Sequence, residues 1–86
     1  MFAAIDVGNT NTKIAFVAED ETYRVSSFES KRESLPSIVE TLTGSSVDKA
    51  VICSVKPCFS DMLKETLIKR GIRVFIVDHT VVPLVN

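Results

Sequence analysis

Asp6-Val7-Gly8-Asn9-Thr10-Asn11-Thr12-Lys13 stands between two apolar runs, Phe2-Ala3-Ala4-Ile5 and Ile14-Ala15-Phe16-Val17. The first run reads as a buried strand that ends in a carboxylate. The second strand starts at Thr12, so the polar residues between them form the bend of a hairpin. Gly8 supplies a backbone conformation that a side chain would obstruct. Asn9, Thr10, Asn11 and Thr12 crowd amide and hydroxyl groups into that bend. Successive backbone N–H groups in such a turn can converge on one anion, and a carboxylate at the strand end, Asp6, can hold a hydrated divalent cation beside it.

A second reading stands next to this one: Asn, Thr and Gly between apolar strands are also ordinary hairpin chemistry. Two features favour the binding site. A two-residue turn suffices to reverse a chain, yet this bend uses about five residues of nearly one chemical type. Asp6 also ends a buried strand, where an unpaired charge is costly without a partner.

The short apolar strand, DVGNTNTK and second apolar strand together resemble the phosphate-binding hairpin of the actin-like ATPase superfamily. More narrowly, IDVGNTNT near an N-terminus is similar to type III pantothenate kinases, which phosphorylate pantothenate to begin coenzyme A synthesis. A less specific likeness covers the rest of the chain: Val51-Ile52-Cys53-Ser54-Val55-Lys56-Pro57, a helix, Val74-Phe75-Ile76-Val77 and Val82-Pro83-Leu84 follow in the family's order. The resemblance implies that Asp6, Val7, Gly8, Asn9, Thr10, Asn11, Thr12 and Lys13 form the ATP phosphate site. Asp6 would hold Mg²⁺ through water, and Lys13 would add positive charge or simply be solvated. It further implies a monovalent cation (K⁺ or NH4⁺) and a homodimer. In the family, the acceptor-activating Asp, the pantothenate-contacting Tyr and the adenosine-binding motif lie beyond the equivalent of Asn86, so the catalytic residues are not assigned and this chain alone is expected to be inactive.

Eighty-six residues allow one domain, with a large share of its surface exposed. An apolar content of 45% is high for so short a chain and points to apolar surface meant to be covered. The net charge of −1 offers no case for a nucleic-acid or membrane partner. Charge is unevenly spread: residues 1–48 carry four basic and eight acidic groups, and residues 49–86 carry six and three. The basic half is read as the solvated side of a helix and its end. Cys53 and Cys58 match no zinc spacing. A disulfide between them is compatible with their separation, but without secretory features the expectation is a reduced, cytoplasmic protein. No apolar run approaches the ~18 residues of a membrane span.

Along the chain, Thr12–Ala18 and Thr22–Phe28 read as strands two and three, joined by a charged turn at Glu19-Asp20-Glu21. Leu35, Ile38, Val39 and Leu42 recur on one face of a helix. Ser34 can cap it, or Ser37 with Glu40 can form a capping box for a shorter helix, and Gly44 ends it. Ala50-Val51-Ile52-Cys53 and Val74-Phe75-Ile76-Val77 read as strands covered on both faces. Between them Pro57 opens a helix that buries Phe59, Met62, Leu63 and Leu67. Glu65 and Lys69 are placed to pair, and Lys69-Arg70-Gly71 closes that helix.

The fold class expected is α/β, a β-β-β-α-β-α-β mixed sheet with the later strands parallel to the first. It resembles the ribonuclease H-like lobe of actin-like ATPases, incomplete because the final helix is missing. Residues 1–78 would be this lobe and residues 79–86 an irregular tail leading to a missing remainder. Phosphoryl transfer also needs a group to orient or deprotonate the acceptor. Asp78, His79 and Ser54 are candidates by position, each with a plainer structural role open to it.

Three other functions remain open. A sugar kinase or ATPase of the same superfamily would carry a similar hairpin. A ribonuclease H-like nuclease needs several carboxylates converging on two cations, and the fourth strand ends in Cys53-Ser54 instead. A non-catalytic module would associate through uncovered apolar surface.

Overall fold

The computed structural model describes residues 1–18 and 21–77, with residues 21–24 described as backbone. Asp78, His79, the tail at residues 79–86 and the Glu19-Asp20 part of the charged turn lie outside the described residues; Glu21 opens a strand. The strands are β1 (Phe2–Val7), β2 (Asn11–Ala18), β3 (Glu21–Glu29), β4 (Lys49–Ser54) and β5 (Arg73–Val77). After β3 a 3₁₀ turn (Arg32–Ser34) leads into helix α1 (Leu35–Thr43), and α2 (Pro57–Lys69) connects β4 to β5.

The protein is mixed α/β, with one five-stranded sheet in the order β3-β2-β1-β4-β5. β1 pairs antiparallel with β2, as β2 does with β3. β1 pairs in parallel with β4, and β4 with β5, as helical crossovers require.

Alternation along the strands assigns the two faces. Ala3, Ile5 and Val7 of β1, Thr12, Ile14 and Phe16 of β2, and Ala50 and Ile52 of β4 are buried in register with one another. Ile38, Val39 and Leu42 of α1 and Phe59, Leu63 and Leu67 of α2 join them in one apolar cluster, with Val47 and Ile72 beneath. Both helices therefore cover the same face. The opposite face carries Phe2, Ala4 and Asp6, Lys13 and Ala15, and Val51 and Cys53, none of them buried.

This placement corrects the expectation that β4 and β5 are covered on both sides. Val51 and Cys53 are only half-buried, and Phe75 and Ile76 are 50% and 42% exposed. A continuous apolar run shows that both faces can be buried, but the crossovers decide which face is, and here both fall on one side. β5 is moreover, among the described residues, an edge strand with a single neighbour.

Local details differ as well. α1 starts at Leu35, so Ser37 lies inside it and its carbonyl accepts from the Thr41 hydroxyl at 2.8 Å. The shorter capped helix is excluded. Ser34 occupies the N-cap position without a side-chain cap bond, because the 3₁₀ turn feeds helical backbone directly into α1. Gly44 ends α1 with right-handed backbone, and the left-handed residue is Ser46, at φ 60°. Gly71, at φ 84°, does play the expected role after α2: the N–H groups of Gly71 and Ile72 reach back to Ile68 and Leu67. Glu65 and Lys69 form no ion pair; among the described residues the recorded one is Lys31–Glu29, at 2.9 Å. Both cysteines are free thiols. No helix among the described residues is long and apolar enough to cross a membrane.

Candidate functional site

The bend between β1 and β2 is tighter than its sequence suggests. β1 continues through Asp6 to Val7 and β2 begins at Asn11, leaving Gly8, Asn9 and Thr10 between them. Val7 lies opposite Thr12, and the Gly8 N–H donates to the Asn11 carbonyl at 2.9 Å, closing the hairpin. A Cβ on Gly8 would meet that same carbonyl at 3.0 Å. The demand for glycine is thus one of space, since Gly8 is not among the residues with left-handed backbone.

Two further segments hold the bend from below. The Ser30 N–H, just after β3, donates to the Thr10 carbonyl at 2.8 Å. Its buried hydroxyl shares a 2.7 Å hydrogen bond with the hydroxyl of Thr12. From the β4–α2 connection the Val55 N–H donates to the Val7 carbonyl at 3.0 Å. The Lys56 ammonium donates to the Ser30 carbonyl at 2.5 Å and, more weakly, to that of Asn9 at 3.4 Å.

All three carbonyls from Asn9 to Asn11 are therefore engaged by donors within the protein. The backbone N–H groups of Asn9 and Thr10 have no recorded partner among the described residues, and the side chains of Asn9, Thr10 and Asn11 are exposed. The Gly8 carbonyl has no recorded donor among the described residues, but with the carbonyls of Asn9, Thr10 and Asn11 engaged and two neighbouring N–H groups spare, the donors of the loop suit an anion.

The eight residues singled out in the sequence thus divide. Gly8, Asn9, Thr10 and Asn11 form the outward rim. Val7 and Thr12 are buried on the core side, so what they offer outward is backbone only. Asp6 and Lys13 lie opposite each other in the hairpin register, exposed on the uncovered face of the sheet. Asp6 is not a charge confined at a buried strand end, as the sequence suggests; alternation turns it to solvent. Among the described residues no three carboxylate, thiol or imidazole groups gather, which leaves Asp6 as the one carboxylate of β1 next to the bend.

Ser54, a candidate from the sequence, accepts the Lys56 N–H at 2.9 Å. It also borders a hollow of 180 Å³ with Pro57, Ser60, Asp61, Ile76 and Val77. A shallow, mainly apolar depression of 280 Å³ on the uncovered face runs from Asp6 and Lys13 to Val25 and Val51. A further hollow, 620 Å³ between α1 and α2, is lined by Leu35, Val39, Glu40 and Arg70. None of the bend residues lines it.

Sequence reading missed Ser30 and Lys56. Ser30 carries no motif of its own, and Lys56 lies 26 positions further on. The one local signal was a lysine set between an apolar strand and a helix-opening proline.

The model of the type III pantothenate kinase family matches residues 2–85. The chain belongs to that family. Comparison with curated proteins found no match. Among solved structures, the fowlpox virus resolvase bound to Holliday-junction DNA is similar over 93% of this chain and 62% of its own, with 14% identity and a TM-score of 0.73. An exopolyphosphatase from Cytophaga hutchinsonii is similar over 92% of this chain and 34% of its own, with 14% identity and a TM-score of 0.58. At such identity the likeness is one of fold. This type III pantothenate kinase family chain spans less than two thirds of either structure.

Proposed function

We propose that this chain is the phosphate-binding lobe of an ATP-dependent kinase that phosphorylates pantothenate, the first step of coenzyme A synthesis. The observation that carries the reading is the bend: the carbonyls of Asn9, Thr10 and Asn11 are engaged from within while the N–H groups of Asn9 and Thr10 stay available beside an exposed carboxylate. In this role Gly8 to Thr12 grip the ATP phosphates with backbone donors, helped by the side chains of Asn9, Thr10 and Asn11. Val7 contributes backbone, and Lys13 adds positive charge.

Asp6 suits a magnesium ion, which keeps several waters and takes one or two carboxylates together with phosphate oxygens. The exposed carboxylate of Asp6 fits that donor set, and the ion would supply charge neutralisation at the phosphates. A monovalent cation, a homodimer and a cytoplasmic setting belong to the same reading. Its fold is a ribonuclease H-like, actin-like ATPase lobe, consistent with the likeness in fold to the exopolyphosphatase.

The lobe alone binds nucleotide weakly and does not turn it over, since an open face neither excludes water nor fixes the acceptor. Thermal shift with MgATP, followed by pantothenate and a panel of sugars, tests the reading. Stabilisation by MgATP that Asp6→Asn abolishes without unfolding the chain supports it; equal stabilisation in Asp6→Asn removes the aspartate from the site. A preference for a sugar would favour the sugar-kinase alternative.

The uncovered face favours a second reading, a module that associates through apolar surface: Val25 is 64% and Phe75 50% exposed. A clean monomer in sedimentation would count against it.

A further inference from the structure

We propose that Lys56 is a positioning residue for the phosphate-binding bend, a role that rests on the reading just given. Its ammonium joins three segments distant in sequence: its own β4–α2 connection, the end of β3 through the Ser30 carbonyl, and the bend through the Asn9 carbonyl. The Ser30 bond is the anchor and the Asn9 contact the guide. Hydrogen bonds from a charged donor are about twice as strong as neutral ones, so this tie outweighs each of the single backbone bonds around it.

Its consequence for the bend is one of direction. An amide plane is rigid, so holding the Asn9 carbonyl toward Lys56 turns the following N–H, that of Thr10, the opposite way. The Ser30 N–H fixes the Thr10 carbonyl in turn, and with it the Asn11 N–H of the same amide plane. Without the lysine the Asn9 carbonyl loses its recorded donor and is free to rotate outward and oppose an anion.

The charge of Lys56 adds to this. The recorded partners of its ammonium are two neutral carbonyls, and no carboxylate pairs with it among the described residues. A half-buried positive charge beneath the bend therefore remains uncompensated, which favours an anion above it. Local fixing of Lys56 is built in: its N–H is held by the Ser54 hydroxyl, and its carbonyl receives the N–H groups of Phe59 and Ser60 as α2 begins.

The test uses the full 86-residue chain, as wild type, Lys56→Met and Lys56→Arg, with circular dichroism to establish folding. Amide hydrogen exchange without ligand reads the bend directly. Lys56→Met should speed exchange at Gly8 and Ser30, whose N–H groups are bonded at the bend, while leaving Ile5 and Ile52 unchanged, and Lys56→Arg should restore protection. Titration with MgATP should then show affinity weakened by about tenfold in Lys56→Met, the scale of one charge-assisted hydrogen bond, and largely recovered in Lys56→Arg.

Unchanged exchange in a folded Lys56→Met variant would overturn the role of Lys56 alone. Faster exchange with unchanged MgATP affinity would reduce the lysine to a structural strap and overturn it equally. Absence of MgATP binding by the wild type would overturn the kinase reading, and the functional role of Lys56 with it. If Lys56→Met fails to fold, Lys56→Arg decides: loss of MgATP affinity with intact exchange protection overturns the proposal, and retention of both supports it.

Discussion

Thr12 and Ser30 illustrate how much rests on single side chains at this hairpin. Their hydroxyls are buried and satisfy each other at 2.7 Å. Thr12→Val leaves Ser30 without that partner and should cost about 1–2 kcal/mol, whereas adding Ser30→Ala should recover most of it, because removing both partners spares the desolvation penalty. Chemical denaturation of the two single variants and the double variant measures the coupling. Gly8→Ala is expected to destabilise the chain by about 1–2 kcal/mol, since its new Cβ would press at 3.0 Å on a carbonyl that the hairpin itself uses. Nearby, a hydrogen bond from Lys31 and then its charge hold the Glu29 carboxyl below its ordinary range, while Glu29 raises Lys31. The pair's contribution is lost on the acid side as pH falls through the lowered Glu29 value, and on the alkaline side as pH rises through the raised Lys31 value. Both groups are exposed, so Lys31→Met should raise the Glu29 titration midpoint seen by NMR and leave stability nearly unchanged.

At the scale of elements, the contrast lies between α2 and β5. Phe59 is buried in the core beneath the sheet, and Phe59→Ala should cost about 3–5 kcal/mol in denaturant unfolding. Phe75 is apolar, aromatic and half exposed on the uncovered side; Phe75→Lys should alter stability by only about 0.5 kcal/mol. Nothing in the two sequences around these phenylalanines separates them so sharply. Periodicity made both helices and the strands legible, because Leu35, Ile38, Val39 and Leu42 recur at helical spacing and Thr12 to Val17 lie next to a turn rich in Asn and Gly. It could not say which side of β4 and β5 the helices would take, for that depends on how the crossovers pack. Nor could it give the bend's true length, which the Gly8–Asn11 bond sets. The eight residues of the candidate site were visible as a motif, but their division into rim, core and open face follows from the register of β1 with β2. Lys56 and Ser30 were hidden because their link is a contact between segments far apart in the chain.

Among the described residues the molecule is a sheet with both helices on one side, while the other face carries Val25, Val51 and Phe75 beside Asp6, Lys13, Lys49 and Arg73. The rim at the end of β1 is where the hairpin, the end of β3 and the start of α2 meet, and it is there that spare backbone donors gather. We propose above all that this rim receives the phosphates of ATP with the help of Asp6. The most direct measurement is a MgATP titration of the ¹⁵N-labelled chain followed by amide chemical shifts. Saturable changes centred on Gly8, Asn9, Thr10 and Asn11, lost in Asp6→Asn, are the predicted result; changes confined to the groove between α1 and α2, or none at the bend at saturating MgATP, would contradict it.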